Sequence, residues 1–171
     1  MTERGRLIIV CGLHVAQSQI NLHQAKSVIG ILGPETPHPA YSSIDNHLKL
    51  TFNDINADTP GLISPREQDA KRLISFIENW DQKQPMLIHC WAGISSSTAS
   101  AFVALCILRP EDDEMELAQE LRAASPSATP NRLITTQVDQ LLGRQGRMLK
   151  AVESIGRGAE AYEGKPFVLK P

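Results

Sequence analysis

The sequence predicts an α/β fold, with a single domain built on a central, mainly parallel sheet of four or five strands and helices on both faces. Two observations support this prediction. Residues 7–13 and 27–32 are apolar runs without alternation, which is typical of strands covered on both faces. A helical pattern lies between them, and strand–helix–strand order favours a right-handed crossover between parallel neighbours. We therefore expect the functional site at the carboxyl end of the strands.

The first half of the chain supplies three strands. Residues 14–24 carry small, polar and apolar residues at helical spacing, with Ile20 and Leu22 on the apolar side. Residues 33–46 contain three prolines and must form a loop. Residues 47–52 alternate apolar and polar side chains with period two, which predicts a third strand near an edge of the sheet.

A helix and a further strand follow. Ser64 is followed by Pro65 and Glu67, a combination typical of a capped helix start, and the apolar spacing extends to about Asp81. The run at residues 86–88 predicts the next buried strand.

The remainder is mainly helical. Helices are predicted over residues 98–108 and 111–124, the latter with Met115 turned inward. Thr129 is the expected cap of the next helix, which Gly143 can end. Residues 147–155 continue with helical spacing. The end of the chain is predicted to be an irregular tail that Tyr162 and Phe167 attach to the rest of the domain.

Length and composition limit the functions that can be expected of this chain. The 171 residues suit one domain over residues 1–171, with a core at about 7–142 and a helical or irregular tail at 143–171. The net charge is −2 without a basic run, so nucleic acid is not an expected partner. The apolar run at 7–10 is too short for a signal segment or membrane span, and three widely spaced cysteines favour a reducing, cytoplasmic location. Five scattered histidines lack ligand spacing, and we expect neither a metal nor a cofactor.

The most informative stretch is MLIHCWAGISSST at residues 86–98. A strand that ends in Cys90, turns tightly and opens a helix places the sulfur at a helix N-terminus, where the dipole and free amides favour a thiolate. The amides of residues 91–97 can point inward and hold an anion of the size of phosphate. Gly93 allows the backbone to curl where a side chain would collide.

This stretch resembles the signature of cysteine-dependent protein tyrosine and dual-specificity phosphatases, bacterial tyrosine-phosphatase-like proteins among them. Their pattern is His-Cys, five residues, Arg, and then Ser or Thr. His89 and Cys90 match it, and Ser97 matches the hydroxyl residue, but Ser96 stands at the position of the Arg. The resemblance implies the protein tyrosine phosphatase-like version of the predicted α/β fold.

The resemblance also implies roles. Cys90 would attack phosphorus, His89 would brace the loop, and Ser97 would help to release the sulfur. Asp54 would be the general acid, with Asp58 as the alternative, although turns favour Asp in any case. The substrate's phosphate oxygens would be held by the loop residues Trp91, Ala92, Gly93, Ile94, Ser95 and Ser96.

The exchange at Ser96 limits the expected activity. A guanidinium grips two phosphate oxygens and keeps its charge, whereas Ser offers one neutral hydroxyl. Loss of even one neutral transition-state donor costs about 10²–10³ in rate. We therefore expect a phosphoester hydrolase impaired by Ser96 or, alternatively, a pseudophosphatase that binds phospho groups or a protein. Sulfur transfer of the rhodanese type is disfavoured by the His89–Cys90 pair. A natural Ser96 and a change made to trap ligand both fit the sequence.

Overall fold

The sheet is the centre of the molecule in the computed structural model, which describes residues 3–171. Its strands are β1 Ile8–Gly12, β2 Ser27–Leu32, β3 Asn46–Thr51, β4 Met86–Cys90 and β5 Phe167–Leu169. Their order is β3-β2-β4-β1-β5, and the neighbours are parallel except β1 and β5, which are antiparallel. The predicted mainly parallel sheet, with its third strand at an edge, is confirmed.

Helices cover both faces of this sheet. They are α1 Ala16–His23, α2 Glu67–Glu78, α3 Ser96–Leu108, α4 Glu114–Ala124, α5 Arg132–Leu142 and α6 Arg147–Ile155. Short 3-10 turns at Glu3–Arg6 and Leu13–Val15 precede β1 and α1. Within residues 3–171, no helix has the length and apolar character needed to cross a membrane.

The two faces carry separate apolar clusters. Successive strand residues point to opposite faces, so Ile9 packs against Ile20 of α1 while Ile8 faces the larger cluster formed with the other helices. Helix α3 lies inside that larger cluster, and residues 96–106 are all buried. Because α3 is enclosed on all sides, its N-terminus is fixed against the carboxyl end of the sheet.

The predicted start of α2 was wrong by about two residues. The helix begins at Glu67, and the Arg66 amide donates to Asp69 Oδ2 at 2.9 Å. Ser64, the expected cap, donates its hydroxyl to Asp58 instead. A tertiary partner for the Ser64 side chain therefore outweighed its local capping preference.

The caps of the later helices were also misplaced. The cap of α5 is Asn131 and not Thr129, because Asn131 Oδ1 accepts from the Ile134 amide at 3.0 Å. The cap of α4 is Asp113, so this helix starts three residues later than predicted. Gly143 ends α5 in the left-handed conformation, as predicted.

Several apolar residues lie outside the core. Leu22 on α1 is 66% exposed and Met115 on α4 is also exposed, against the prediction. Each lies on a short helix whose buried face is narrower than the apolar spacing suggests. In the tail, Phe167 is buried in β5, but Tyr162 is 81% exposed. The three residues of β5 are too few for a recognisable strand pattern.

Candidate active site

Cys90 lies where β4 meets α3. Five residues separate it from Ser96, the first residue of α3. Its sulfur accepts a hydrogen bond from the Gly93 amide at 3.2 Å and lies 3.1 Å from Ser97 Oγ. The residue is 6% exposed. The thiol thus faces an amide and a hydroxyl at the N-terminus of α3.

The carbonyl groups of the loop after Cys90 are bound from outside the loop. The Trp91 carbonyl accepts from the Leu13 amide at 3.0 Å, and the Ala92 carbonyl accepts from the Gly164 amide at 2.8 Å. The Ile94 carbonyl accepts from the Thr129 amide at 2.9 Å, and the Ser95 carbonyl accepts from the Asn131 amide at 3.2 Å. In a planar trans peptide unit the C=O and N–H point in opposite directions. The amides of residues 92, 93, 95 and 96 therefore point inward, away from these partners, and that of Gly93 donates to the Cys90 sulfur. Successive N–H groups that point to one side of a loop form a concavity of the kind that can bind an anion.

Gly93 is required for this shape. Its φ is +73°, in the left-handed region, and a Cβ there would lie 2.8 Å from Cys11 C and Gly12 N. The loop therefore packs directly against the end of β1, and a side chain at position 93 would push it away.

His89 supports the loop from below. It is fully buried, with Nδ1 3.3 Å from the Cys90 carbonyl and Nε2 3.0 Å from the Tyr41 hydroxyl. Since a carbonyl only accepts, Nδ1 carries the proton and Nε2 accepts from Tyr41. Burial lowers the pKa of His89 to about 4, so the ring is neutral at pH 7. The neutral His89 ring, hydrogen-bonded at both nitrogens, holds the Cys90 carbonyl in place.

Asp54 contacts the other side of the loop. Its Oδ1 accepts from Ser95 Oγ at 2.8 Å, from Ser96 Oγ at 3.1 Å and from Asn131 Nδ2 at 2.8 Å. The hydroxyl of Ser96, at the position of the absent Arg, is thus directed at a carboxylate. Asp58, the alternative acid, accepts from Ser64. Of the two candidates, Asp54 is the one that these contacts bring to the loop.

Asn131 is a site residue that the sequence reasoning missed. It joins the Asp54 segment to the loop, yet lies 77 positions along the chain from Asp54. The available signal was the preference of Asn for helix caps, since Asn131 directly precedes a helical pattern. That signal predicts a cap and gives no information on the second partner.

Aromatic side chains border the loop. Trp91, which directly follows Cys90, is 40% exposed. Its ring makes edge-on contacts with His14 at 5.3 Å and Tyr162 at 5.6 Å between centroids. The tail residue Tyr162 is therefore brought beside the loop, and these rings form an exposed aromatic rim.

No protein-family model and no curated protein sequence matches this chain. Solved structures do match. Human DUSP28 aligns with a TM-score of 0.62 and 15% identity over 84% of this chain and 96% of that one. DUSP15 aligns with a TM-score of 0.59 and 21% identity over 86% of this chain and 90% of that one. A human tyrosine phosphatase-like serine/threonine/tyrosine-interacting protein aligns with a TM-score of 0.60 and 17% identity over 81% of this chain and 92% of that one.

The fold is that of the dual-specificity phosphatases. At these identities the likeness establishes the fold alone.

Proposed function

We propose that this chain is a protein tyrosine or dual-specificity phosphatase-like hydrolase of phosphoesters, impaired because Ser96 replaces the phosphate-binding Arg. The observation that carries the proposal is the ring of inward amides around the Cys90 sulfur, held by the outward bonds of the loop carbonyls. Such a ring binds the equatorial oxygens of a phosphoryl group without any side chain.

The first step of the proposed reaction forms a cysteinyl phosphate. The Cys90 thiolate attacks phosphorus, an S–P bond forms and the bond to the ester oxygen breaks. The loop amides hold the equatorial oxygens while His89 keeps the Cys90 carbonyl fixed. Asp54 gives its proton to the leaving oxygen, so that an alcohol departs rather than an alkoxide.

The second step releases phosphate. A water molecule attacks phosphorus, the new P–O bond forms and the S–P bond breaks. Asp54 takes the proton of the water as general base. The Ser97 hydroxyl, 3.1 Å from the sulfur, donates to the departing thiolate.

Ser96 is the reason for the proposed impairment. Its hydroxyl donates to Asp54 at 3.1 Å, so its one proton is already engaged. The phosphoryl dianion then meets only neutral groups, with no guanidinium to balance its charge. We expect a loss of at least about 10²–10³ in rate relative to the Arg-containing pattern.

The proposed ligand is a phosphorylated substrate or a phosphate-like oxyanion. Among the similar structures, a mouse dual specificity phosphatase is complexed with zinc tungstate, and PTPMT1 is in complex with PI(5)P. These two proteins share 17% and 11% identity with the chain and the same fold. Their ligands are an oxyanion and a phosphoinositide, which supports the same chemical class here.

A second candidate function is a binding module without turnover. The observation that favours it is the bond between Ser96 and Asp54, which gives the loop an internal carboxylate at the position where the pattern has a cation. A loop of this kind would hold phosphorylated groups or a protein weakly and release them unchanged.

One experiment separates the two candidates. Hydrolysis of an aryl phosphate is measured for the chain itself, for Ser96→Arg and for Cys90→Ser. Ser95→Arg is the matched control, because it places the same charge one residue away from position 96, where the resembled signature has its Arg. Thermal unfolding of each variant checks that it is folded.

The phosphatase proposal predicts that Ser96→Arg raises kcat/KM by at least about 100-fold, that Ser95→Arg does not, and that adding Cys90→Ser abolishes the gain. A folded but silent Ser96→Arg that still binds tungstate would favour the binding module. Failure of every variant to bind tungstate would contradict both candidates.

A further inference from the structure

The side-chain amide of Asn131 is fully used. The residue is completely buried, and Oδ1 accepts from the Ile134 amide at 3.0 Å. Its Nδ2 donates to Asp54 Oδ1 at 2.8 Å and to the Ile55 carbonyl at 2.8 Å. A primary amide has two N–H donors, and both have a partner here. The amide orientation is fixed, because the oxygen must face a donor and the nitrogen two acceptors.

The backbone of Asn131 is tied to the loop as well. Its amide donates to the Ser95 carbonyl at 3.2 Å. The next amide, of Arg132, donates to Asn56 Oδ1 at 3.0 Å. The N-terminus of α5 therefore joins the Cys90 loop on one side and residues 54–56 on the other.

Asp54 depends on this junction for its orientation. It is exposed and follows β3 without lying in a helix or strand, so its own segment does little to fix the side chain. Its three donors, Ser95 Oγ, Ser96 Oγ and Asn131 Nδ2, all bond to Oδ1. Of these three donors, the Asn131 amide is held by bonds to two further groups, whereas the hydroxyls of Ser95 and Ser96 can rotate about their C–O bonds. Holding one carboxyl oxygen leaves Oδ2 to carry the proton that a general acid transfers.

We propose that Asn131 is a positioning residue, which fixes Asp54 by one carboxyl oxygen and leaves the other for proton transfer. This inference rests on the proposed function of Asp54. A proton donor must lie within hydrogen-bond reach of the leaving oxygen, so a free rotation of the carboxyl would lower its efficiency.

Two variants separate positioning from helix capping. Asn131→Asp keeps an oxygen that can cap α5 but replaces both N–H donors by a second carboxyl oxygen beside Asp54. Asn131→Ser also keeps a capping oxygen and removes the donors without adding charge. Asp113→Ala is the control, since it removes the cap of α4 and touches neither Asp54 nor the loop.

The first measurement does not depend on activity. Crystal structures of Asn131→Ser and Asn131→Asp, in the otherwise unchanged chain, report the distance from Asp54 Oδ1 to Ser96 Oγ. We expect the 3.1 Å contact to be lost in both, with the Cys90 loop retained. Retention of that contact in both variants would overturn the proposal.

The second measurement uses the Ser96→Arg chain and two aryl phosphates, one with a poor and one with a good leaving group. General acid catalysis contributes about 10²–10⁴ where the leaving oxygen needs a proton. Each Asn131 variant should lower kcat/KM by at least tenfold for the poor leaving group and by less than threefold for the good one. An equal loss on both, or the same pattern in Asp113→Ala, would overturn the proposal. If Ser96→Arg hydrolyses neither ester, the proposed function fails, while the crystallographic distance still decides whether Asn131 holds Asp54.

Discussion

The two halves of the Cys90 loop are held by different means. In residues 91–94 the main chain provides the support: the carbonyls bond to other segments and the amides turn inward. In residues 95–98 the side chains provide it, because Ser95 and Ser96 bond to Asp54, Ser97 contacts the sulfur and Thr98 bonds to the Ile94 carbonyl. The main-chain bonds, including that of the Ser95 carbonyl to the Asn131 amide, do not depend on which side chains the loop carries, whereas the hydroxyl contacts do. A single side-chain exchange, such as Ser96 where the resembled signature has Arg, can therefore change the charge of the loop and leave its main-chain bonds in place.

The largest expected effect breaks the main-chain half. Gly93→Ala would combine a left-handed φ with a Cβ 2.8 Å from the β1 backbone. We expect a loss of about 3 kcal/mol in the free energy of unfolding and no measurable tungstate binding. Urea unfolding and calorimetric titration measure the two quantities.

Gly143→Ala is the matched control for Gly93→Ala. Gly143 has φ +65°, and no atom lies within 4 Å of the position that a Cβ would take there. Only the conformational cost of about 1–2 kcal/mol therefore remains. Equal losses in the two variants would contradict the close packing of the loop on β1.

The next effect tests the support beneath the main-chain half. Burial lowers the pKa of His89 from 6.5 to about 4, so the unfolded chain binds a proton more readily than the folded one between these values. Stability should be complete above pH 6.5 and should fall as the pH drops towards 4, by at most about 3 kcal/mol from this residue. Urea unfolding across this range, with His89→Gln for comparison, measures that share.

Tyr41→Phe distinguishes burial from hydrogen bonding at His89. It removes the hydroxyl bonded to Nε2 and leaves the ring enclosed. Because burial is the largest cause of the shift in the His89 pKa, the acid-side slope should persist in Tyr41→Phe and decrease in His89→Gln. If the dependence of stability on pH is unchanged in His89→Gln, the acid-side loss of stability comes from other groups.

The smallest expected effect sharpens the account of the side-chain half. Asp54→Asn removes a charge next to the loop and keeps the shape of the side chain. Relief of about 1 kcal/mol of repulsion should tighten tungstate binding about fivefold. Asp58→Asn, in the same segment but bonded to Ser64, should change the affinity less than twofold. Equal effects of the two changes would show that Asp54 does not face the anion.

The sequence was sufficient for the parts of the fold that depend on local pattern. Residues 27–32 and 147–155 form a strand and a helix with the predicted limits, because their apolar spacing is unbroken. The position of Cys90 between a strand and a helix followed from the same reasoning. These features are set by neighbours in the chain.

The remaining features depend on distant partners. Asn131 bonds to Asp54 across 77 positions, and Tyr41 bonds to His89 across 48. Strand β5 pairs with β1, which lies more than 150 positions earlier in the chain. No local pattern carries this information, so the sequence places Cys90 in a loop between a strand and a helix without predicting which distant residues hold that loop.

The most direct test of the account is an amide NMR titration of the unchanged chain with tungstate. The account predicts that the largest shifts occur at the amides of residues 92, 93, 95 and 96, with weak, saturable binding. The aromatic rim and the tail should shift less. Saturation with the largest shifts elsewhere, or no change at these four amides at the highest tungstate concentration, would contradict an intact anion nest at Cys90.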